Sequence, residues 1–344
     1  MKHINIPIFI PHLGCPNQCV FCNQRSISGR MSFDPSLMER EVETVLSTVT
    51  KPCKVEIAFF GGSFTGIDRG LMIDLLERAE AFVRTGRVDE IRLSTRPDYI
   101  DDEILNILSR YSVRTVELGL QSMDDAVLIA TRRGHTADDA KRACDAVKRY
   151  GFQLIGQMMI GLPQSDGARE MATAEALCHM GVDGARVYPT VVFEDTELCR
   201  MAKAGEYVAP ELDDIVARTA DVLEVLDAHD VPCIRVGLCA SENLASDKVW
   251  GGANHSAVGE LAMGEIFYRN MCRLLDGAGD VSGKIVTFWV PCGAVSRAVG
   301  QKKKNLLRIY KKYSPLRVKV LEKNQLLRYN IMIGSVEENC GSRM

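Results

Sequence analysis

The feature that most constrains the fold is a repeated change of hydrophobic period along residues 4–189. Short runs rich in Val, Ile, Leu and Phe alternate with segments whose apolar residues recur at helical spacing. The runs are INIPIFI, VEIAFF, IRLST, TVELGL, FQLIGQMMI and GARVYP, and the helical segments are 35–49, 69–84, 101–110, 136–149 and 167–180. Because parallel strands need crossover helices, we expect a (β/α)6 fold, closed or partly closed into a TIM-like barrel.

Unusual strings fall at the carboxyl ends of the first five predicted strands. They are CPNQCVFC, GGSFTG, STRPDY, LGLQS and MMIGLP, in chain order. In parallel barrels these strand ends carry the chemistry, because the loops that follow them meet at one face. The sequence therefore predicts one site built from several loops.

The pattern changes after residue 205. A long amphipathic helix at 211–230 is followed by IRVGL, by the Gly-rich loop KVWGGANHSAVGE and by another helix near 257–275. We therefore predict a barrel core at 1–205, a helical extension with a Gly-rich loop at 206–280, a small α+β module at 281–334 and a loose tail at 335–344.

Composition places the chain among ordinary globular proteins, with 46% hydrophobic and 25% charged residues. It contains no uninterrupted apolar run of about 18 residues, so we expect no membrane segment. INIPIFIP is too short and is broken by proline, which argues against a signal peptide. We expect a cytoplasmic protein whose twelve cysteines stay reduced and are mostly small buried apolar residues.

Cys15, Cys19 and Cys22 form a CxxxCxxC string directly after the first predicted strand. A structural zinc site usually needs a second close pair of ligands, and none stands at a suitable distance. Three thiolates can hold three irons of a cubane and leave the fourth iron without a protein ligand. Spacing alone leaves zinc, a redox pair, an iron–sulfur cluster and no site open, and the position on the first barrel loop favours the cluster. We expect no second cluster, because close-pair spacing is absent among Cys233, Cys239, Cys272 and Cys292.

The strings CPNQCVFC and FFGGSF resemble the radical S-adenosylmethionine (SAM) superfamily. STRPDYI, VELGLQSMDDAVLIATRRGHT, GFQLIGQMMIGLP and YPTVVFEDTELCRMAKAGEY are similar, in order and spacing, to the radical domain of the Elongator catalytic subunit and its bacterial relatives. The resemblance implies a 4Fe-4S cluster, reductive cleavage of SAM to methionine and a 5′-deoxyadenosyl radical, and an electron donor such as flavodoxin or ferredoxin. It also implies RNA chemistry, and we expect this protein to lack the acetyltransferase domain of these relatives.

The residues for SAM are predicted partly from chemistry and partly from this resemblance. Gly61 and Gly62 lack a Cβ, so the ligand's amino group could approach backbone carbonyls there, and a plain tight turn is the alternative. Gln121 and Arg133 could receive a carboxylate, Arg133 through a charge-assisted hydrogen bond. The resemblance assigns both to the methionine carboxylate and assigns Phe21 to the adenine.

Two further positions and two histidines complete the candidates. Ser94 and Gln157 stand where relatives often carry acids that bond the ribose, and both can still form hydrogen bonds to hydroxyls. His135 could donate a proton, but we expect it to order the turn before a helix that begins at Thr136. His12 could bond the cluster or the ligand, or face solvent.

The C-terminal part of the chain is strongly basic. Between Arg297 and Arg328 eleven Lys or Arg residues stand against the single acid Glu322, a local charge of +10. The order strand, short helix, GQKK loop, helix, strand matches the βααβ core of a KH module, whose GxxG loop clamps a nucleic-acid backbone. Lys303 replaces the second glycine of that loop. We predict RNA contacts at Gly300, Lys302, Lys303 and Lys304, and a solvated basic helix is the alternative.

These observations favour a radical SAM enzyme that modifies RNA, with a tRNA-like substrate held by the basic module. One alternative is a radical SAM enzyme that acts on a small metabolite such as a porphyrinogen. Another is a cluster-containing protein that binds RNA without catalysis. Formation of 5′-deoxyadenosine separates the last alternative from the other two.

Overall fold

The computed structural model describes residues 2–11, 13–15, 19–23, 32–49, 53–238 and 248–338. His12 and Cys239 lie outside these ranges, as do residues 339–344 of the predicted tail. Within the described ranges the strands are β1 Lys2–Ile10, β2 Cys53–Gly61, β3 Glu90–Thr95, β4 Val113–Gln121, β5 Gln153–Ile160, β6 Gly184–Pro189, β7 Val191–Phe193, β8 Cys233–Val236, β9 Val249–Gly252, β10 Ile285–Val290, β11 Arg317–Glu322 and β12 Met332–Glu337.

The helices of the same ranges are α1 Met38–Leu46, α2 Arg69–Arg84, α3 Asp102–Leu108, α4 Asp125–Ala130, α5 Ala137–Arg149, α6 Gly167–His179, α7 Glu197–Lys203, α8 Leu212–Ala228, α9 Val258–Gly277, α10 Val295–Val299 and α11 Lys304–Tyr313. Several of these helices have a polar side chain at the N-cap position. Asp68 accepts a hydrogen bond from the backbone N–H of Leu71, and Thr136 and Asp139 cap α5 reciprocally. The helix start that the sequence indicated at Thr136 is thus confirmed.

Seven parallel strands form a curled half-barrel in the order β1, β2, β3, β4, β5, β6, β8. The six predicted strands are confirmed. The seventh, β8, is an addition, since IRVGL was not assigned to the sheet; it has four residues and pairs with β6 beside Ala185 and Val187. The sheet therefore continues past residue 205, and the division of the chain into domains stays a prediction.

The two faces of this sheet differ in polarity, because successive side chains of a strand point to opposite faces. Ile6, Ile57 and Val116 belong to a fully buried apolar core on one face. Charged residues that alternate with such side chains, including Glu56 and Glu117, point to the inside of the half-barrel. The inside of the half-barrel therefore carries buried charged side chains along its strands as well as at the loops.

The C-terminal module folds as β10, α10, α11, β11, the order that the sequence predicted. β10 pairs in parallel with β11 and antiparallel with β12, a third strand that was not predicted. Phe288 and Ile309 pack with Met271 of α9, so the module shares a small apolar core with that helix. Likeness to a KH module stays a prediction.

Within the described ranges, no helix combines the length and the apolar character that a membrane crossing would require.

Candidate active site

The three clustered cysteines lie in the loop that leaves the carboxyl end of β1. Cys19 is buried, and Cys15 and Cys22 are half-buried. The loop is tied to the rest of the barrel by its backbone: the N–H of Val20 donates to the carbonyl of Thr131 at 3.2 Å, and the N–H of Leu198 donates to the carbonyl of Val20 at 2.8 Å. The part of the loop next to Cys19 is thus held against the end of α4 and the first turn of α7.

Glycines allow this loop to meet the loop after β2 backbone to backbone. A Cβ at Gly62 would lie 1.9 Å from the carbonyl oxygen of Leu13, and a Cβ at Gly14 would lie 2.1 Å from that of Ser63. Gly61 has a φ of +112°, which side chains rarely adopt. The contact between the loops is a role for these glycines that the sequence did not indicate, and approach of a ligand to Gly61 and Gly62 stays a prediction.

Arg133 lies against the cysteine loop. Its Nη1 donates to Sγ of Cys19 at 3.2 Å, and its Nη2 donates to the carbonyl of Gly119. Gln121 is buried beside the same glycine, with a φ of +68° that is unusual for a side-chain-bearing residue. The structure thus brings the two predicted carboxylate-binding residues together at the end of β4.

Arg96 is a residue of the site that the sequence argument missed. It is 3% exposed, forms a double hydrogen bond with Asp98 at 2.9 and 2.8 Å, and donates to the backbone carbonyl of Arg133. Its Nη1 is buried with no hydrogen-bond partner among the described residues. The string STRPDY at the end of β3 contained the signal, because a charged residue directly after a buried strand is unfavourable unless it is paired or binds a ligand.

The two guanidinium groups influence the neighbouring thiols. Burial is the main factor that raises the pKa of Cys15, and the nearby Cys19 adds to it. Arg96 and Arg133 act in the opposite direction on the same pKa. Since thiolates are the form that binds metals, the two cations favour the ligand form of the loop.

The two predicted ribose contacts lie next to each other inside the half-barrel. Nε2 of Gln157 donates to Oγ of Ser94 at 3.3 Å and to Oε2 of Glu117 at 3.1 Å. Neither predicted position is acidic, but the carboxylate of Glu117 accepts a hydrogen bond from Gln157, which also bonds Ser94. Contact of Ser94 and Gln157 with a ribose stays a prediction.

Glu117 is the centre of a buried ion network that sequence reasoning also missed. It is fully buried and pairs with Arg92 at 3.0 Å and with Arg186 at 2.8 Å, while Arg92 also pairs with Glu56 at 3.0 Å. Buried charges are costly unless they are paired, which explains why the four residues occur together. Single charges inside the apolar runs VEIAFF, IRLST, TVELGL and GARVYP were the available signal.

Phe21 lies in the cysteine loop, and His135 follows Arg133 by two residues. Phe21 packs against Val192 and Leu198 next to the cysteine loop. His135 is 5% exposed, and burial together with Arg133 lowers its pKa to about 4. At neutral pH its imidazole is therefore uncharged, and it stands directly before the reciprocal cap of α5, as the sequence predicted.

Comparison with known proteins agrees with this geometry. The Radical SAM superfamily model matches residues 9–175, and the radical SAM C-terminal domain matches residues 182–266. The chain belongs to the radical SAM superfamily, and its cofactors are those of the family, a 4Fe-4S cluster and SAM.

Individual relatives point to the Elongator-like branch. An uncharacterized protein of Methanocaldococcus jannaschii is 27% identical over 66% of this chain and 73% of its own. The tRNA uridine(34) acetyltransferase of the same organism is 28% identical over 56% of this chain and 43% of its own. The structure of archaeal Methanocaldococcus infernus Elp3, with its N-terminus deleted, is similar with a TM-score of 0.61 at 20% identity, covering 79% of this chain and 63% of that one.

The residues present fit both cofactors. Three thiols on one anchored loop suit a cubane with one open iron. The buried Nη1 of Arg96 is an unsatisfied donor that lies close enough to Cys15 and Cys19 to be affected by their charge. An anionic group at this place would satisfy it, which an apolar or cationic ligand would not.

Proposed function

We propose that this radical SAM enzyme modifies RNA, with a tRNA-like substrate. The observation that carries the proposal is a combination: a barrel end with three thiols beside two buried guanidinium groups, and a basic module appended to that barrel. The tRNA uridine(34) acetyltransferase of M. jannaschii, one of the relatives, supports the same substrate class by its name.

In this proposal the residues of the site divide the work. Cys15, Cys19 and Cys22 hold the cluster, which when bound supplies the electron for cleavage of SAM to methionine and the 5′-deoxyadenosyl radical. The cosubstrate is bound and oriented by Phe21, Gly61, Gly62, Ser94, Gln121, Arg133 and Gln157. The buried donors of Arg133 and Arg96 favour a carboxylate over water at this place, because a charged pair out of water is weakly screened.

The GQKK loop supports an RNA-binding role for the module. Gly300, Lys302 and Lys303 all have positive φ, so the loop between α10 and α11 is a tight left-handed turn. The side chains of Lys302 and Lys303 are exposed on it. Lys304 differs, because its Nζ pairs with Asp213 of α8 at 2.9 Å.

The local charge of +10 is partly neutralised inside the molecule. Acids of α8, α9 and the residues after α8 pair with five of the eleven cations, which are Arg297, Lys304, Arg308, Lys312 and Arg328. Six others have no ion pair within the described ranges; they are Lys302, Lys303, Lys311, Arg317, Lys319 and Lys323. We expect these six to provide the attraction for phosphates.

This neutralisation is also the observation that favours a second candidate. If the basic residues serve mainly to attach the module to α8 and α9, the enzyme would act on a small metabolite. The paired arginines around Glu117 inside the half-barrel would then border the substrate. Location in the cytoplasm and supply of electrons by a flavodoxin or ferredoxin stay predictions for either candidate.

Two measurements distinguish the candidates. Anaerobically reconstituted protein is incubated with SAM, a reductant and total tRNA, and 5′-deoxyadenosine and modified nucleosides are measured by mass spectrometry. We expect 5′-deoxyadenosine to increase with tRNA, and one nucleoside to be missing from the RNA of a strain that lacks the protein. Without 5′-deoxyadenosine the protein would be an RNA binder, and 5′-deoxyadenosine with unchanged RNA would favour the metabolite.

A further inference from the structure

Two histidines and a glutamate meet on the outside of the barrel, away from the cysteine loop. Glu175 and His179 lie four residues apart on α6, and His229 directly follows α8. One ligand atom from each of the three lies within 4.8 Å of the other two. We propose that Glu175, His179 and His229 form a binding site for a zinc-type divalent cation, which joins α6 to α8.

The ring orientation of His229 is the first argument. Its Nδ1 lies 3.0 Å from the carbonyl oxygen of Val225, and a carbonyl can only accept, so Nδ1 carries the proton. In the neutral ring Nε2 then presents its lone pair outwards. Metal-binding histidines are commonly fixed in this way, with the other nitrogen bonded to a carbonyl.

The second argument is that the lone pair on Nε2 of His229 faces a carboxylate oxygen. Nε2 of His229 lies 3.2 Å from Oε2 of Glu175, which is also an acceptor. Two acceptors at this separation repel each other unless a proton or a metal ion lies between them. Zinc bonds to nitrogen and oxygen of about 2.0–2.2 Å at tetrahedral angles place such ligand atoms about 3.3 Å apart, close to the observed separation.

The helix ends supply a third argument. α6 ends at His179 and α8 ends directly before His229, so two helix C-termini point towards the same place. The unpaired carbonyls at a helix C-terminus carry a partial negative charge, which favours a cation. The carboxylate of Glu175 adds a full negative charge to this field.

The ligand set indicates the kind of metal. Two imidazoles and one carboxylate suit zinc and other late first-row metals better than calcium or magnesium, which prefer oxygen. The side chains of His179 and His229 are exposed, so an ion can enter from solvent and keep a water as its fourth ligand. The site does not depend on the proposed function of the barrel.

The position of the site gives the ion a structural role. α8 already joins the barrel to the module, because Arg218 pairs with Glu170 of α6 and Asp213 pairs with Lys304. Both pairs lie in the first half of α8. A metal at His229 would fasten the other end of the same helix to α6.

The test must keep zinc away from the cysteine loop. In a Cys15→Ala, Cys19→Ala, Cys22→Ala chain we expect one zinc ion per chain, measured by competition with a chromophoric chelator. Adding His179→Ala or His229→Ala should weaken zinc binding at least about tenfold, since each removes one of three ligands. Glu175→Gln should weaken it less, and Asp145→Asn, an exposed acid of α5, should leave it unchanged.

A second readout reports the joining of the helices. Zinc should slow hydrogen exchange at the end of α8 in the parent chain and not in the His229→Ala chain. If the Cys-substituted chain does not fold, the same titration is made on iron-loaded wild type, whose thiols are occupied. Zinc binding of equal strength with and without the histidines, or no zinc binding by either parent, would overturn the proposal.

Discussion

The barrel end and the C-terminal module both present arginines and lysines, but they hold them differently. Arg96 and Arg133 are buried, and each is fixed by several partners: Asp98, a thiol and backbone carbonyls. The cations of the module are mostly exposed, and five of the eleven pair with acids on the surface.

The two kinds of charge differ in what they can bind. Buried charges are weakly screened, and removal of one partner leaves the others unsatisfied, so single substitutions have large effects. Exposed charges are screened by salt and hydrated, so each contributes little and several must act together. We expect specific binding of one anion at the barrel end and diffuse, salt-dependent binding at the module.

The largest effect is expected at the cysteines. Anaerobically reconstituted wild type should hold about four irons and four sulfides, and Cys15→Ala, Cys19→Ala or Cys22→Ala should abolish the cluster. Cys292→Ala, which changes an exposed cysteine of the module, should have no effect on iron content. Iron, acid-labile sulfide and visible absorption are the measurements. Zinc at full occupancy without sulfide in the wild type would contradict the assignment.

The next effect contrasts two neighbouring arginines. Arg133→Gln removes a buried cation, and we expect SAM to bind about ten- to a hundredfold more weakly, a loss of roughly 1.5–3 kcal/mol. Arg132→Gln is the matched control, because Arg132 is exposed and pairs with Glu197 at 3.0 Å. SAM binding is measured by equilibrium dialysis.

Iron must be determined in the same samples, since Arg133 also contacts Cys19. Equal SAM affinities of the two variants, with normal clusters, would remove Arg133 from the site. A loss of iron in Arg133→Gln alone would instead assign the residue to the cluster loop.

A smaller effect concerns pH. Because the pKa of His135 is about 4 in the folded chain and 6.5 without the fold, the unfolded chain binds more protons between these values. The free energy of unfolding is therefore unaffected by this histidine well above pH 6.5. On acidification it falls, by about 2 kcal/mol at about pH 5. Urea unfolding of cluster-free protein above about pH 6.5 and at about pH 5 measures the difference in the free energy of unfolding. His135→Leu should reduce the difference, and an unchanged difference would show that His135 is not the cause.

The smallest effect is expected at the GQKK loop. Replacing Lys302 and Lys303 by Gln should lower the salt dependence of RNA binding by about 1.4 units of slope, at about 0.7 for each single-strand phosphate. Adding Lys304→Gln should change it less, because Lys304 already pairs with Asp213. Lys312→Gln, a cation that pairs with Asp276 at 3.7 Å, is the control. If RNA affinity depends equally on salt in wild type and in the double variant, the alternative, a solvated basic segment, would be favoured.

The sequence was informative where local signals are strong. Alternating hydrophobic periods predicted the six strands of the half-barrel, and Thr136 with Asp139 predicted a helix start, because both patterns depend on neighbours along the chain. β8 was missed because it has only four residues, three half-buried and one exposed, which carry too little hydrophobic signal to distinguish a strand.

Local patterns in the sequence therefore predict the order of elements, the position of three thiols at the end of β1 and the basic character of the last segment. The tertiary structure decided which distant charges meet. It joined Arg133 to Cys19, enclosed Glu117 between Arg92 and Arg186, and paired Lys304 with Asp213. The physical reason is that an ion pair is selected by distance and burial in the folded chain, and neither quantity is encoded by spacing along the sequence.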